Sequence, residues 1–388
     1  MPLTSLVCSI TTSLTMGPAR STNTMRRRLL TWFEQNARDL PWRRTRDPYA
    51  IWISEVMLQQ TQVETVKPYY RDFMRRFPTA RHLARARLDT VLKLWEGLGY
   101  YRRAHHLHQA ARIIVRDLHG VLPRTRQGLM ALPGVGRYTA GAIASIAWGQ
   151  VEPVVDGNVT RVLCRVFVVQ DDPRQRSTRE RLWSVATDLV GAGRAGDLNQ
   201  ALMELGAMLC LPRRPRCPEC PLGTLCKARS RGLQEELPVR TRRGPLPCHT
   251  VAIGVIFKDG KVLIDKRRPD GLLGGLWEFP GGKRQGHESL EATLRREVRE
   301  ELGIRIKVRH PLMRVHHAYT HFRVRLHVYE CDYAGGRPRC RVCTAFRWDR
   351  PSQLRRYAFP VANQKIIAAI ESQGRASLGD RAGTGAPG

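Results

Sequence analysis

From Met25 to about Arg229 apolar positions recur at three- and four-residue spacing, as in Val91, Leu94, Trp95 and Leu98. That period predicts amphipathic helices and makes 25–229 an all-helical unit. The pattern then breaks: Ser230 to Cys248 is rich in Arg, Pro and Gly with little apolar periodicity, which reads as a linker over 230–248. Beyond it, Thr250 to Phe257, Val262 to Lys266 and Phe322 to Tyr329 favour strands, while Glu288 to Leu302 keeps a helical period. The stretch 249–371 is therefore an α+β domain. The ends carry neither period. Residues 1–24 are Ser/Thr-rich without an early positive region and read as a disordered extension rather than a secretion signal, with Met16 and Met25 as alternative starts. The Gly/Ala/Ser-rich stretch 372–388 reads as a disordered tail.

Composition agrees with two cores. At 388 residues the chain exceeds the usual single-domain size, and 42% hydrophobic content can fill both. No apolar run reaches membrane-spanning length. Charge narrows the partner: Lys and Arg outnumber Asp and Glu by 65 to 34, a net charge of +31, which suits a polyanion, nucleic acid foremost. A merely solvated, Arg-rich surface is the other reading of charge alone.

Four of the ten cysteines, Cys210, Cys217, Cys220 and Cys226, are separated by six, two and five residues. Four thiolates so close can wrap a cubane iron-sulfur centre, or hold one zinc ion, for which paired short gaps are more usual. Arg213, Arg214 and Arg216 lie between the first two, so the same loop presents guanidinium groups to an anion. Cys8, Cys164, Cys248, Cys331, Cys340 and Cys343 show no disulfide framework, which fits a reducing compartment.

Within the helical part, Leu132 to Ile143 places Gly134 and Gly136 in a tight connection between helices. Glycine there lets backbone amides approach a phosphate, or serves the turn's geometry only. Further on, Asp156 stands at the mouth of a helix over 159–169. It serves as an N-cap, and a carboxylate so placed can also stabilise an oxocarbenium-like sugar as an N-glycosidic bond breaks. Glu55 sits among apolar neighbours between Trp52 and Gln62. Desolvation there raises its pKa, as a general acid working near neutrality needs.

The hairpin, Asp156, Glu55 with its continuation to Gln62, and the cysteine spacing together resemble the helix-hairpin-helix iron-sulfur DNA glycosylases over Met25 to Arg229. Within that family these residues resemble the adenine-excising MutY branch. The resemblance implies a 4Fe-4S cluster on the four cysteines, Glu55 protonating adenine and Asp156 stabilising the cationic sugar with support from Asn158. It further implies that Gln60 and Tyr100 enter the base stack and that Gln200 reads adenine. The base must be flipped, because the scissile bond is inaccessible in a stacked duplex. Endonuclease III, a relative with the same hairpin, Asp and cluster, has a Lys nucleophile where this chain has Tyr138. Without an amine no Schiff base forms there, so a monofunctional glycosylase is expected.

In the second domain Leu290, Leu294, Val298 and Leu302 recur every four residues and bury one helix face, leaving Glu297, Glu300 and Glu301 clustered beside it. Three carboxylates on adjacent turns can hold Mg²⁺ against phosphates, with Arg296 placed to orient one of them. A solvated, salt-bridged helix is the plainer reading. Gly282, Glu288 and Arg296 to Ile304 resemble the complete Nudix signature, whereas adenine glycosylases commonly carry it decayed, as a reader of 8-oxoguanine. Leu276 to Lys283 and Ala358 to Asn363 are similar instead to MutT-type hydrolases of 8-oxo-dGTP, which implies that Asn363 recognises the oxidised purine. His317 to His321 resembles the glycosylase loop that contacts 8-oxoguanine, with Tyr319 and Thr320 in place of the more usual Phe and Ser.

The expectation is thus an all-α helix-hairpin-helix glycosylase domain with an iron-sulfur loop, followed by an α+β Nudix-like domain. Such an enzyme is expected to excise adenine opposite 8-oxoguanine or guanine in double-stranded DNA during base excision repair. The second domain recognises 8-oxoguanine, with Mg²⁺-dependent hydrolysis of 8-oxo-dGTP left open. A monomer without membrane attachment is expected, in the bacterial cytoplasm with the nucleoid. An endonuclease III-like enzyme for damaged pyrimidines and a non-catalytic lesion-binding scaffold are the rival readings.

Overall fold

The computed structural model describes residues 19–191, 193–241 and 244–382; Cys8, Met16 and most of the expected N-terminal extension lie outside them. Helices come first: α1 (Ala19–Asn36), α2 (Pro48–Leu58), α3 (Val63–Arg76), α4 (Ala80–Arg85), α5 (Leu88–Leu94), α6 (Arg102–Asp117), α7 (Arg126–Met130), α8 (Arg137–Trp148), α9 (Gly157–Phe167), α10 (Arg176–Val190), α11 (Ala195–Met208) and α12 (Lys227–Ser230). Strands follow: β1 (Cys248–Lys258), β2 (Lys261–Lys266), β3 (Trp277–Glu278), β4 (Gly281–Lys283), β5 (Ile304–Ala318), β6 (Arg323–Gly336) and β7 (Ala345–Asp349). Two further helices, α13 (Leu290–Leu302) and α14 (Val361–Ala382), accompany them. No helix among the described residues is long and apolar enough to cross a membrane.

Two compact units result, one from Met1–Val63 with Ile113–Arg242 and one from Glu64–Arg112 with Arg243–Gly388. This division differs from a single cut at the linker, because side chains on α5, on α6 and in the turn between them bond to the C-terminal part of the chain. Lys93 Nζ donates to the Tyr357 carbonyl at 2.9 Å, Glu96 Oε1 accepts from Phe359 N at 2.8 Å, and His105 Nε2 meets the Gly274 carbonyl at 2.9 Å. Asp89 pairs with Lys266.

In the first unit α2 is apolar almost all round and buried from Tyr49 to Met57, as expected of a helix that runs through a core. Asp47 starts it by accepting from Tyr49 N at 3.1 Å, with Pro48 in the first turn. Helices α9 and α11 approach closely through Gly206, where a Cβ would lie 2.6 Å from Asn158 Cβ. Arg165, fully buried on α9, donates to the carbonyls of Leu237 at 2.9 Å and Leu211 at 2.7 Å. Leu237 itself is buried. The start of the expected linker is thus packed into this unit, held by a guanidinium that leaves no pattern in the linker's own residues. Residues 19–24 belong to α1, and α14 continues past 372 to Ala382, so both ends are helical further than composition suggested.

The second unit holds one mixed sheet in the order β3-β2-β1-β6-β5, with β4 on β1 and β7 on β2. The β1–β6 pair is parallel and the other pairs are antiparallel. Each face carries an apolar core: Val255, Val324, Leu326 and Val328 pack with Ile366 and Ile370 of α14, while Ala252, Ile256 and Tyr329 pack with Leu294, Val298 and Leu302 of α13.

Candidate active site

A recess in the first unit is lined by Glu55 and Ser54 of α2, Tyr138 of α8, Asp156, Asn158 of α9, and Gln200, Met203, Glu204 and Ala207 of α11. The α11 residues stand three or four apart, on one helical face. Glu55 is only 4% exposed because α2 is a core helix. Tyr138 donates its hydroxyl to Glu55 Oε2 at 2.6 Å. Burial raises the Glu55 pKa to about 7; the Tyr138 bond and Arg43 pull it down, and the charge of Asp156 pushes it up. Burial first, then Glu55 and Asp156, hold the Tyr138 phenol well above its ordinary value, so it stays a neutral donor.

Asp156 is the N-cap of α9, accepting from Val159 N at 2.7 Å on Oδ1 and from Asn158 Nδ2 at 3.1 Å on Oδ2. Burial raises its pKa against those bonds and Arg161. The cap and the catalytic readings of Asp156 therefore describe one geometry: the cap fixes the carboxylate where it faces the recess. Arg161 Nη2 holds Asn158 Oδ1 at 2.8 Å, which orients that amide toward Asp156. With two N–H groups aimed at it, Asp156 is the better site for negative charge; Glu55, with one hydroxyl donor in an apolar setting, is the better site for the proton.

A profile of the HhH-GPD superfamily of base excision DNA repair proteins matches residues 53–187, and one of the NUDIX domain matches 252–369. The adenine DNA glycosylase of Homo sapiens is 39% identical, over 89% of this chain and 73% of that protein. That of Schizosaccharomyces pombe is 33% identical over 85% of each. The chain belongs to the adenine DNA glycosylase family. As a member it is a DNA N-glycosylase of base excision repair that acts on DNA. A solved thermostable thymine-DNA glycosylase shares the helical fold, at 31% identity and a TM-score of 0.50 over 55% of this chain and 98% of that one.

Sequence reasoning about this glycosylase did not single out Glu204, at the floor of the recess. Arg38 Nη2 reaches it at 2.7 Å and Arg43 Nη2 at 2.9 Å. Burial raises its pKa, but these two partners win and lower it to about 2. Its spacing from Gln200, one helical turn on α11, was the available signal. The glycine-containing connection at 131–136 lies between α7 and α8. Gly134 there has φ +76°, and a Cβ at Gly136 would meet nothing within 4 Å, which leaves that backbone approachable. Gln60 and Tyr100 both hold left-handed backbone, φ +57° and +46°, strain of the kind that collects at ligand-binding positions.

The four cysteines line a second recess with Arg165, Arg229 and Gln234, and among the described residues no carboxylate lines it. Arg165 Nη1 lies 3.3 Å from Cys210 Sγ. Among the described residues no three His, Cys, Asp or Glu side chains gather tightly enough to cage a single metal ion. An all-sulfur donor set beside two arginines has the chemistry of a thiolate-bound cluster or a four-thiolate metal site.

In the second unit the Nudix carboxylates divide. Arg296 Nη1 binds Glu297 at 2.9 Å and exposed Glu300 at 3.0 Å, while Nη2 binds Glu288 at 2.8 Å. Glu297 fills the space above Gly282, where a Cβ would meet its carboxyl carbon at 2.2 Å. Glu301 instead lines a recess with Asp265, Arg267 and Glu278. Burial, then Glu278 and Glu297, raise its pKa to about 8. Asp265 Oδ1 is buried with no hydrogen-bond partner, a carboxylate oxygen that a cation would satisfy. Asp265 and Glu278, on β2 and β3, were not expected; β3 has only two residues, too few for a period to mark, and the strand over 262–266 was read from its apolar positions, which say nothing of a carboxylate among them.

Tyr100, Tyr319, Thr320, His321 and Asn363 also lie in this unit. Tyr100, 39% exposed, shares a short hydrogen bond with Thr320, which joins two positions named separately from sequence. Tyr319 is half-buried against the ring of Phe322, 4.8 Å away. His321 is exposed. Asn363 is 5% exposed in the first turn of α14, beside Ala362 of the core.

Proposed function

We propose that the recess excises adenine opposite 8-oxoguanine, or opposite guanine, with Glu55 as general acid and Asp156 as electrostatic partner of the sugar. The Glu55–Tyr138 bond in a recess shared with Asp156 carries this reading. Glu55 delivers its proton to a purine ring nitrogen, the glycosidic electron pair leaves with the base, and Asp156 lowers the energy of the cationic sugar until water adds to it. Asn158 positions Asp156, and Gln200 reads the flipped base. Gln60, Tyr100, Gly134 and Gly136 hold the duplex, and Tyr319, Thr320, His321 and Asn363 serve the opposite lesion. Among the described residues no lysine lines the recess, which supports a monofunctional enzyme. The four cysteines hold a 4Fe-4S cluster that ties the loop after α11. The setting we propose is the cytoplasm, with the protein acting as a monomer on chromosomal DNA.

Single-turnover release of adenine from duplexes with A:8-oxoguanine or A:G tests the assignment. Rapid release from both, abolished in Glu55→Gln, is expected; normal release by Glu55→Gln would overturn the acid role. Efficient borohydride trapping on DNA through the helical part would overturn the monofunctional assignment. Loss of iron-dependent visible absorbance in Cys217→Ser is expected if the cluster is held as proposed, and retained absorbance refutes it.

A second activity is favoured by one observation, the Asp265–Glu278–Glu301 recess beside a filled Nudix signature. Mg²⁺ held there would neutralise a nucleotide's phosphates, with Glu301 as its carboxylate in the recess; Glu297 and Glu300, now held by Arg296, would join it on leaving that guanidinium. Mg²⁺-dependent pyrophosphate release from 8-oxo-dGTP, lost in Glu300→Gln, is the expected result; turnover no higher than that variant's leaves recognition alone.

A further inference from the structure

We propose that the uncovered half of one sheet face in the second unit binds the phosphate backbone of duplex DNA. This rests on the reading of the chain as a DNA-repair glycosylase and adds a contact surface to it.

In β6 exposed Arg323 and Arg325 and half-buried His327 alternate with buried Val324, Leu326 and Val328, so the three cationic positions share one face. On β5, Arg314 is registered opposite His327 and His316 opposite Arg325; directly opposite residues point the same way. On the other side Thr250 of β1 is opposite Arg325, and Arg284 N donates to the Thr250 carbonyl at 2.9 Å, which carries β4's pairing one residue further. Farther along, the same face presents Ala252, Tyr329 and Cys331, and these are packed under α13. The cover ends there: Arg284, Arg314, His316, Arg323 and Arg325 are exposed. Their proximity is felt at His327, whose pKa is lowered by burial first and then by Arg314, Arg325, His316 and Arg284.

None of the four arginines pairs with a carboxylate among the described residues, whereas Glu291, at the start of α13, already pairs with Arg295 at 3.7 Å. Four uncompensated guanidinium groups on one patch favour an anion supplied from outside. Residues two apart on a strand are ~6.8 Å apart, about two base-pair rises of ~3.4 Å, so Arg323 and Arg325 match a phosphate row along a duplex. No Tyr, Trp or Phe is exposed on this patch to stack unpaired bases, which argues against single strands. Cys248, His316, Arg323 and Arg325 line an open recess at the end of this face.

The test is the salt dependence of binding to a duplex carrying one A:8-oxoguanine pair, for wild type and for the combined Arg284→Gln, Arg314→Gln, Arg323→Gln, Arg325→Gln protein, with melting curves to confirm folding. The slope of log Kd against log salt should fall by ~0.9 for each arginine that meets a phosphate, so by between about one and three and a half. The four Arg→Lys substitutions should restore it. An unchanged slope in a folded variant overturns the proposal, as does loss of polyglutamate binding with DNA binding intact, which would assign the face to an acidic polypeptide. Should the combined variant not fold, Arg323→Gln with Arg325→Gln reads the same quantity at two surface positions. Failure of the wild type itself to release adenine would fault the glycosylase reading and leave the slope measurement to judge this one.

Discussion

Replacing Tyr138 with Phe removes one hydroxyl and keeps the ring, which isolates a single term in the chemistry of Glu55. The hydroxyl lies 2.6 Å from Glu55 Oε2 and stabilises the ionised carboxylate. Burial is the dominant reason that Glu55 titrates at about 7, and the Tyr138 bond opposes it. A hydrogen bond to a charged group contributes ~1.5–3 kcal/mol, and one pKa unit corresponds to ~1.4 kcal/mol. Tyr138→Phe should therefore raise Glu55 by ~1–2 units. The general acid works while protonated, so wild-type excision should fall as pH rises through about 7, and the variant's should fall ~1–2 units higher. At a pH one unit above the wild-type midpoint about a tenth of Glu55 is protonated, against half or more in the variant. Relative to its own acid plateau, Tyr138→Phe should then be ~5-fold faster or better. The assay is single-turnover adenine release against pH. A descending limb that stays in place or moves to lower pH refutes the role of this bond. Linkage supplies an independent check. Between 4.5 and about 7 the folded protein keeps a proton that the unfolded chain has lost, so Glu55's contribution to stability falls as pH rises through that window, and in the variant the window extends upward.

Three further outcomes follow from the same geometry. Asp156→Asn removes the charge but keeps a capping oxygen, so excision should drop by ~10²–10³-fold while stability changes by no more than about 1 kcal/mol; comparable losses in both would make Asp156 a cap only. Glu204 has a folded pKa of about 2 against 4.5, so its contribution, about 3 kcal/mol, is present above 4.5 and lost as pH falls toward about 2; Glu204→Gln should lose that acid dependence in denaturant titrations and cost ~3–5 kcal/mol near neutrality. Gly206→Ala puts a Cβ 2.6 Å from Asn158 Cβ, which should cost ~1–3 kcal/mol and slow adenine release by shifting Asn158 and Asp156; an unaltered rate would show that the α9–α11 approach does not position them.

The repeating helical pattern up to Arg229 and the strands at 250–257 and 262–266 were readable because each depends on a local period of apolar residues. Strands β3 and β4 were not, having two and three residues, and β5 was not, because its exposed and half-exposed positions break the alternation. Glu55 was legible as buried because its apolar neighbours occupy every side of its own helix. Glu204 was not, since the arginines that compensate it come from positions 161 and 166 residues away.

The order of residues alone determined which chemical groups this glycosylase owns: an acid in an apolar helix, an acid at a helix mouth, four clustered thiols and a filled Nudix signature. Those follow from composition and spacing within short windows, where neighbours along the chain are neighbours in space. Only the tertiary structure decided that Tyr138 donates to Glu55 across 83 residues, that residues 64–112 group with the sheet, and that Glu301 turns toward Asp265 and Glu278 while Glu300 faces solvent. Each of these is a contact between distant segments, selected by how whole helices and strands pack, and no local pattern encodes it.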